Sequence, residues 1–277
     1  MNIQAALDYA QSEIKNNESQ IDARYLVSFV VKKNFTWLKT WSDKNLTELQ
    51  ISQLKKLIGR RNDGEPIAYL TGEKDFWTLT LKTNSSTLIP RAETELLVEQ
   101  ALEFLKKRQV ANVLDLGTGT GAIGLAIASE RKKDNIFACD FELKAVELAQ
   151  QNAKENRISN IKIFQSDWFS NLENNHFELI VSNPPYVIEN DPHLEQGDLV
   201  FEPNSALVAK ENGLADIKAI IRQAPQYLSD GGALMIEHGY EQGKQVRELF
   251  ELSGFVQIKT IRDLLGLERV TSGVLPC

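Results

Sequence analysis

The 277-residue chain is 42% apolar and 25% charged, with a formal net charge of −7, a composition ordinary for a globular protein and long enough for two cores. An acidic balance excludes a generic polyanion binder. Two cysteines, Cys139 in an apolar run and Cys277 at the last position, exclude a disulfide scaffold and point to a reducing compartment.

No apolar run approaches membrane-spanning length, and Asp8 and Glu13 interrupt the first helical pattern, so neither a span nor a leader peptide is read here. A cytoplasmic, monomeric protein without membrane contact is expected. The charge is uneven: 12 Lys+Arg against 10 Asp+Glu up to residue 82, and 19 against 28 beyond it.

Residues 1 to about 62 read as helices only. Ile3, Leu7, Ala10 and Ile14 share one face at helical spacing, and Ser19-x-x-Asp22 and Thr47-x-x-Gln50 have the form of capping boxes ahead of apolar helices. Gly64 and Pro66 stop the last of these. A small helical bundle over residues 1–73 is predicted, as a substrate-protein recognition module. Phe76 to Leu81 then alternates at period 2 and Thr83-Asn84-Ser85-Ser86 reads as a turn, with Thr87 to Ile89 able to return. This predicts a β-hairpin linker over 74–90. Pro90 suits the start of a helix from about Ala92 to Lys107.

From Val110 strand and helix alternate, which predicts a parallel sheet covered on both faces in residues 91–277. Strands are expected at 113–116, 136–139, 161–164, 177–181 and 233–236, with closing strands at 255–260 and 268–274. Helices are expected near 122–130, 143–156, 213–228 and 241–252. The long connection from 187 to 212 has no periodicity, and connections of that length usually carry function.

Gly117-Thr118-Gly119-Thr120-Gly121 follows the first of these strands and Asp140 closes the second. Glycines let the backbone approach a nucleoside, and an acid receives ribose hydroxyls. A nicotinamide dinucleotide and S-adenosylmethionine both satisfy that pattern. Asp167 and Trp168 after the third strand suit an adenine amine and ring, no Lys or Arg lies between Gln109 and Glu130, and Gly121 adds a third close glycine. These tilt the reading toward S-adenosylmethionine.

Asn183-Pro184-Pro185-Tyr186 ends the apolar run Phe177 to Val181. Neither proline can donate to a ladder, so the strand stops with the Asn183 side chain at its carboxyl end, where open α/β sheets bind ligands. The Asn183 side-chain oxygen and Pro184 carbonyl are paired acceptors for a guest bearing two N–H hydrogens, and Tyr186 offers a flat face. A rigid Pro-Pro turn closing a core strand would look the same in isolation. Asn183 and Pro184 are the candidate catalytic groups. Asn183 to Tyr186 form the candidate substrate pocket, and Gly117 to Gly121, Asp140, Asp167, Trp168 and Asn183 the candidate cofactor contacts.

Taken together, Gly64 to Gly72 (GEPIAYLTG), Leu88 to Glu95 (LIPRAETE), Asp115 to Gly121, Asn183 to Tyr186, Phe201-Glu202-Pro203, and Asp263-Leu264 with Arg269 resemble the HemK/PrmC family of release-factor glutamine N5-methyltransferases over nearly the whole chain. The glycine and Asn-Pro-Pro-Tyr motifs are shared with nucleic-acid amine methyltransferases; the first two segments are more specific. Thr120 stands where the family carries a serine. The resemblance implies a Rossmann-like seven-stranded methyltransferase sheet, its last strand antiparallel. It also implies S-adenosylmethionine as methyl donor, leaving S-adenosylhomocysteine, and a release-factor glutamine as acceptor.

A nucleic-acid amine methyltransferase shares the pocket chemistry, but no basic patch supports it and no direct nucleic-acid contact is expected. A dehydrogenase rests on the glycine turn and Asp140 alone. A non-catalytic binding protein would not need the pocket. No metal is expected: His176, His193 and His238 lack ligand spacing and read as surface or loop residues. Arg91, Thr94, Glu95 and Glu202 are left with open roles.

Overall fold

The computed structural model describes residues 1–172 and 176–277. The chain forms two compact units, one of Met1–Glu73 with His193–Phe201, the other of Lys74–Pro192 with Glu202–Cys277. No helix among the described residues is long and apolar enough to cross a membrane.

The first unit is helical: α1 (Ile3–Glu13), α2 (Ser19–Val31), α3 (Phe35–Thr40), α4 (Glu48–Asn62) and α5 (Ile67–Thr71). Ala6, Leu26, Val27 and Leu54 are fully buried at its centre. Thr47 and Gln50 make a reciprocal capping box at the start of α4, as their spacing predicts. Ser19 and Asp22 do not: Glu18 occupies the cap position of α2 without a side-chain bond. Asp22 turns inward instead, where Arg61 reaches it at 2.7 Å and Asn16 donates to it at 2.8 Å. A buried carboxylate is stable only when ionically and hydrogen-bond satisfied, and this requirement overrides the local capping signal.

The second unit begins at Lys74, within a hairpin of β1 (Glu73–Phe76) and β2 (Leu79–Lys82). The turn lies inside the alternating run, not after it. Trp77 takes a left-handed conformation with φ 57°, and its N–H donates to Glu95 at 2.8 Å. Residues 83–91 therefore never return as a strand. A short 3-10 turn, Ala92–Thr94, precedes α6 (Glu95–Leu105), so the helix begins later than Pro90 suggests.

The remainder alternates β3 (Asn112–Leu116), α7 (Ala122–Glu130), β4 (Asn135–Asp140), α8 (Leu143–Glu155), β5 (Ile161–Gln165) and β6 (Phe177–Ser182). The long connection is broken by 3-10 turns and by the two-residue pair β7 (Val187–Ile188) and β8 (Val208–Ala209), ending in the turn α9 (Lys210–Gly213). Then come α10 (Ala215–Gln223), β9 (Leu228–Glu237), α11 (Gly243–Leu252), β10 (Val256–Arg262) and β11 (Glu268–Val274).

Seven strands lie in the order β10-β11-β9-β6-β3-β4-β5, with β11 antiparallel to both neighbours and the other pairings parallel. The central strands read as nearly continuous apolar runs because both faces are covered, with Val113, Leu114, Leu116, Leu179, Ile180 and Val181 fully buried. The chain steps outward from β3 through β4 to β5 and returns on the other side of β3 as β6. The switch point, where such sheets bind ligands, thus lies at the carboxyl ends of β3 and β6.

Asn152, fully buried in the middle of α8, ties the hairpin to the turn after β3. It accepts from the Lys82 N–H at 2.7 Å and donates to the Lys82 carbonyl at 3.1 Å and the Thr120 carbonyl at 2.8 Å. Removing three bonds from a dry site at about 1 kcal/mol each predicts that Asn152→Ala loses roughly 2–4 kcal/mol. The loss should read as a lower urea midpoint at unchanged slope.

Candidate active site

Four strand ends, those of β3, β4, β5 and β6, bring their following residues to one edge of the sheet. A cavity of about 420 Å³ opens there, walled by Gly117 to Thr120, Asp140, Asp167, Trp168, Asn183 and Pro185, with Ser86 to Leu88, Arg91, Thr94, Ser205 and Asp216 around them. The glycine turn is tied across the sheet, since the N–H groups of Gly117 and Thr118 both donate to the Cys139 carbonyl at 2.9 Å. At Gly119 an added Cβ would stand in open space, so that backbone is bare toward the cavity. Trp168 lays its ring 3.3 Å from where a Gly117 Cβ would be.

Gly121 has a different function from the one its spacing suggests. It does not wall the cavity. It starts α7 at φ 86°, and a Cβ there would meet Leu125 at 2.8 Å and Ala149 at 3.2 Å, so only glycine can occupy it without strain. Pro184 and Tyr186 also lie outside the cavity wall, whereas Asn183 and Pro185 are in it. The Tyr186 carbonyl is pinned by Gln242 Nε2 at 3.1 Å and by the passage of Gly213, where a Cβ would fall 2.1 Å from that oxygen. Burial and the nearby Glu237 carboxylate push the Tyr186 phenol above its ordinary value and keep it neutral.

The charged groups on the wall are Arg91 and four acids, Asp140, Glu142, Asp167 and Asp216. Asp140 accepts from the Gly119 N–H at 2.8 Å and the Glu142 N–H at 3.0 Å, while burial raises its pKa. Burial and the neighbouring Asp167 raise that of Asp216, against a lowering by Trp168. A cavity with this excess of negative charge favours a cationic guest over a pyrophosphate.

Arg91 is itself drawn to Glu202, whose side chain is wholly buried and whose other oxygen accepts from the Ile89 N–H at 3.2 Å. Glu202 thereby fixes the returning end of the long connection beside the cavity. Glu95 orders the hairpin turn, as described above. Asn183 donates from Nδ2 to the Thr94 hydroxyl at 3.2 Å, so its oxygen is the end left for a guest.

His238 corrects the surface reading of the histidines. It is fully buried, with Nε2 2.8 Å from the Thr271 hydroxyl and Nδ1 2.9 Å from the Gly239 carbonyl, and burial lowers its pKa. Glu237, immediately before it, is a buried acid beside the site that periodicity did not reveal. The expected strand stops at Ile236, and an acid directly after an apolar run at a strand's carboxyl end was the available signal. Asp216 escaped notice because its helix, expected near 213–228, carries no motif that marks the acid, and only the fold brings it to the cavity.

A doubly wound sheet with one antiparallel strand, a bare glycine turn at the switch point, an acid-rimmed cavity and an Asn-Pro-Pro-Tyr corner define the Rossmann-like methyltransferase class. Residues 92–257 match the family model "Methyltransferase small domain" and residues 5–72 match "PrmC N-terminal domain". The chain is 50% identical over 274 residues to the release factor glutamine methyltransferase of Escherichia coli (strain K12), covering 99% of each. It is 48% identical over 275 residues to that of Vibrio cholerae, covering 98% of this chain and 96% of the relative. This chain belongs to the release factor glutamine methyltransferase family.

Solved structures show the same fold at low identity. A Pyrococcus furiosus methyltransferase superimposes with TM-score 0.54 at 16% identity, covering 83% of this chain and 100% of its own. The T. thermophilus 16S rRNA N2 G1207 methyltransferase, solved with AdoMet and guanosine, gives 0.52 at 20% identity, covering 73% and 49%.

Asp115, on β3 beneath the glycine turn, is fully buried. Its Oδ2 accepts from the Thr118 hydroxyl at 2.6 Å and the Gly124 N–H at 2.9 Å, while Oδ1 has no partner among the described residues. Burial pushes its pKa up to about 6. A carboxyl raised on folding favours the folded state below its unfolded pKa of about 3.9 and loses that contribution as pH rises through about 6. Relative to Asp115→Asn, the wild type should therefore lose on the order of 2 kcal/mol between pH 4 and 7 in urea unfolding. Parallel pH profiles for the two proteins would contradict the assignment.

Proposed function

We propose that this chain transfers the methyl group of S-adenosylmethionine to the side-chain amide nitrogen (N5) of a glutamine. The acceptor is the glutamine of the Gly-Gly-Gln motif of class I peptide-chain release factors. The observation that carries the reading is the Asn183 amide: its nitrogen is bonded to Thr94 at 3.2 Å, which leaves its oxygen to accept from an incoming –NH₂.

S-adenosylmethionine fits the wall described above. Its positive charge suits Asp140, Asp167 and Asp216, the bare backbone at Gly119 allows close approach, and Trp168 supplies an aromatic face. Gly117 to Thr120, Asp140, Asp167 and Trp168 are the residues that hold it in this reading, with Asp140 on the ribose. When bound, it supplies a methyl group already activated on a sulfonium.

A carboxamide nitrogen is a poor nucleophile, because its lone pair is delocalised into the carbonyl. The protein's work is alignment. The Asn183 oxygen, on the cavity wall, takes one amide hydrogen and the Pro184 carbonyl, just outside that wall, takes the other as the glutamine enters, while Pro185 and Tyr186 fix the backbone that carries them. Alignment of this kind supplies roughly 7–11 kcal/mol of a barrier. The same two acceptors stabilise positive charge as it grows on nitrogen, and the acidified nitrogen loses its proton to solvent after transfer. The helical unit is the natural candidate to grip the protein substrate, and the enzyme acts as a cytoplasmic monomer in this reading.

Incubation with isotopically labelled S-adenosylmethionine and a release factor, followed by peptide mass mapping, should place one methyl group on the glutamine of the Gly-Gly-Gln tip. Label entering RNA or DNA and not protein would overturn the reading. Asn183→Ala should lower kcat on the order of 100-fold or more while cofactor affinity changes little. Asp140→Ala should do the reverse, raising KM for S-adenosylmethionine at least about tenfold through loss of a charge-assisted hydrogen bond.

A further inference from the structure

We propose that Glu237, beside both the Thr94 hydroxyl and the Asn183 amide, sets which end of that amide faces the substrate, and is thus a positioning residue for methyl transfer. The inference rests on the glutamine-pocket reading above and adds to it the group that gives the pocket its polarity.

Topology puts the three residues together. Ser182 on β6 is in register with Ile236 on the parallel neighbour β9. The next residue on each strand, Asn183 and Glu237, therefore sit side by side at the carboxyl edge. The 3-10 turn before α6 brings Thr94 against both. Glu237 is 2% exposed and lies behind the cavity wall, not in it. Its Oε2 has no hydrogen-bond partner among the described residues. The Thr94 hydroxyl and the Asn183 amide both lie close enough to its carboxyl group to hold its pKa down.

An asparagine amide is nearly isosteric about its last torsion, so nothing in its shape decides whether oxygen or –NH₂ faces outward. A carboxylate decides it, because a carboxylate only accepts. Facing Glu237, the Thr94 hydroxyl directs its hydrogen to the acid and its lone pairs to Asn183, whose Nδ2 donates to it at 3.2 Å. The direction of every hydrogen in this short chain is set by the charge at its inner end, and the acceptor oxygen of Asn183 is what emerges toward the cavity. A neutral group at position 237 can donate as well as accept, so the chain can run in either direction and present an –NH₂ to an –NH₂.

Charged and titratable groups surround Glu237 on each packed element. Arg269 on β11 lowers its pKa, and Glu93 in the 3-10 turn raises it. Tyr186 after β6 is a neutral phenol, and His238, next on β9, is engaged with Thr271. Burial dominates and pushes Glu237 up to about 7. The carboxyl is neutral below that pH and charged above it, so the acceptor polarity is complete only on the alkaline side.

The test measures kcat and KM of the full-length protein on an intact release factor from pH 5.5 to 9. The variants are Glu237→Gln, Thr94→Val and Thr94→Ser, with melting curves for each. Wild-type kcat should rise with pH through an acid limb near 7. Glu237→Gln should lose roughly 10- to 100-fold in kcat, lose that limb, and keep its KM for S-adenosylmethionine. Thr94→Val should fall similarly and Thr94→Ser should recover most of the loss, which tests the same chain if Glu237→Gln does not fold. A release factor carrying Glu in place of the methylated Gln has no N–H to offer, so it should inhibit Glu237→Gln more strongly than wild type. Full kcat with an unchanged acid limb in Glu237→Gln, or Thr94→Val as active as Thr94→Ser, would overturn the proposal. A wild-type protein that leaves the release factor unmodified would instead sink the functional reading on which it rests.

Discussion

An amide group approached from outside offers either an oxygen or a pair of hydrogens, and a catalyst for an –NH₂ must offer the oxygen. The constraint that organises the carboxyl edge of this sheet is the hydrogen bond from Asn183 to Thr94. Two prolines follow Asn183 and deny the strand any further ladder. Gln242 and the close pass of Gly213 hold the Tyr186 carbonyl. Each feature removes one freedom from a side chain whose useful orientation is not decided by its own shape.

The second requirement is a cavity of the right sign. Four acids and one arginine line it, and the arginine is drawn to the buried Glu202. Placing carboxylates in a partly dry cleft raises their pKa values through desolvation, as at Asp140 and Asp216. That cost is recovered when a cation enters. The glycine turn contributes access and not charge: its backbone is bare at Gly119, and its first two N–H groups are held by Cys139.

Much of this was legible in the sequence because it rests on short-range chemistry. The alternation of apolar strands and amphipathic helices foretold the doubly wound sheet, and family resemblance supplied its antiparallel last strand. The Thr47–Gln50 box follows from local geometry and is present. What failed was decided at long range. Asp22 had the form of a cap but belongs to Arg61, 39 residues away. The hairpin turned inside its own alternating run because Glu95 captures the Trp77 N–H. His238 is buried because Thr271, on a strand more than 30 residues later, receives it. Glu237 shows no periodic signal; only the pairing of β6 with β9 brings it to Asn183.

The first compact unit is not contiguous: it takes in His193–Phe201 as well as the first 73 residues. Arg61 reaches Asp198 at 3.5 Å, and the Phe201 ring sits 3.2 Å from where a Gly64 Cβ would be. During synthesis the helical core can condense as soon as its five helices have emerged, since their contacts are local and form fast. Its surface, however, waits for well over a hundred further residues to be translated before that returning segment arrives. A unit whose helices emerge early is therefore completed only once Phe201 has been made.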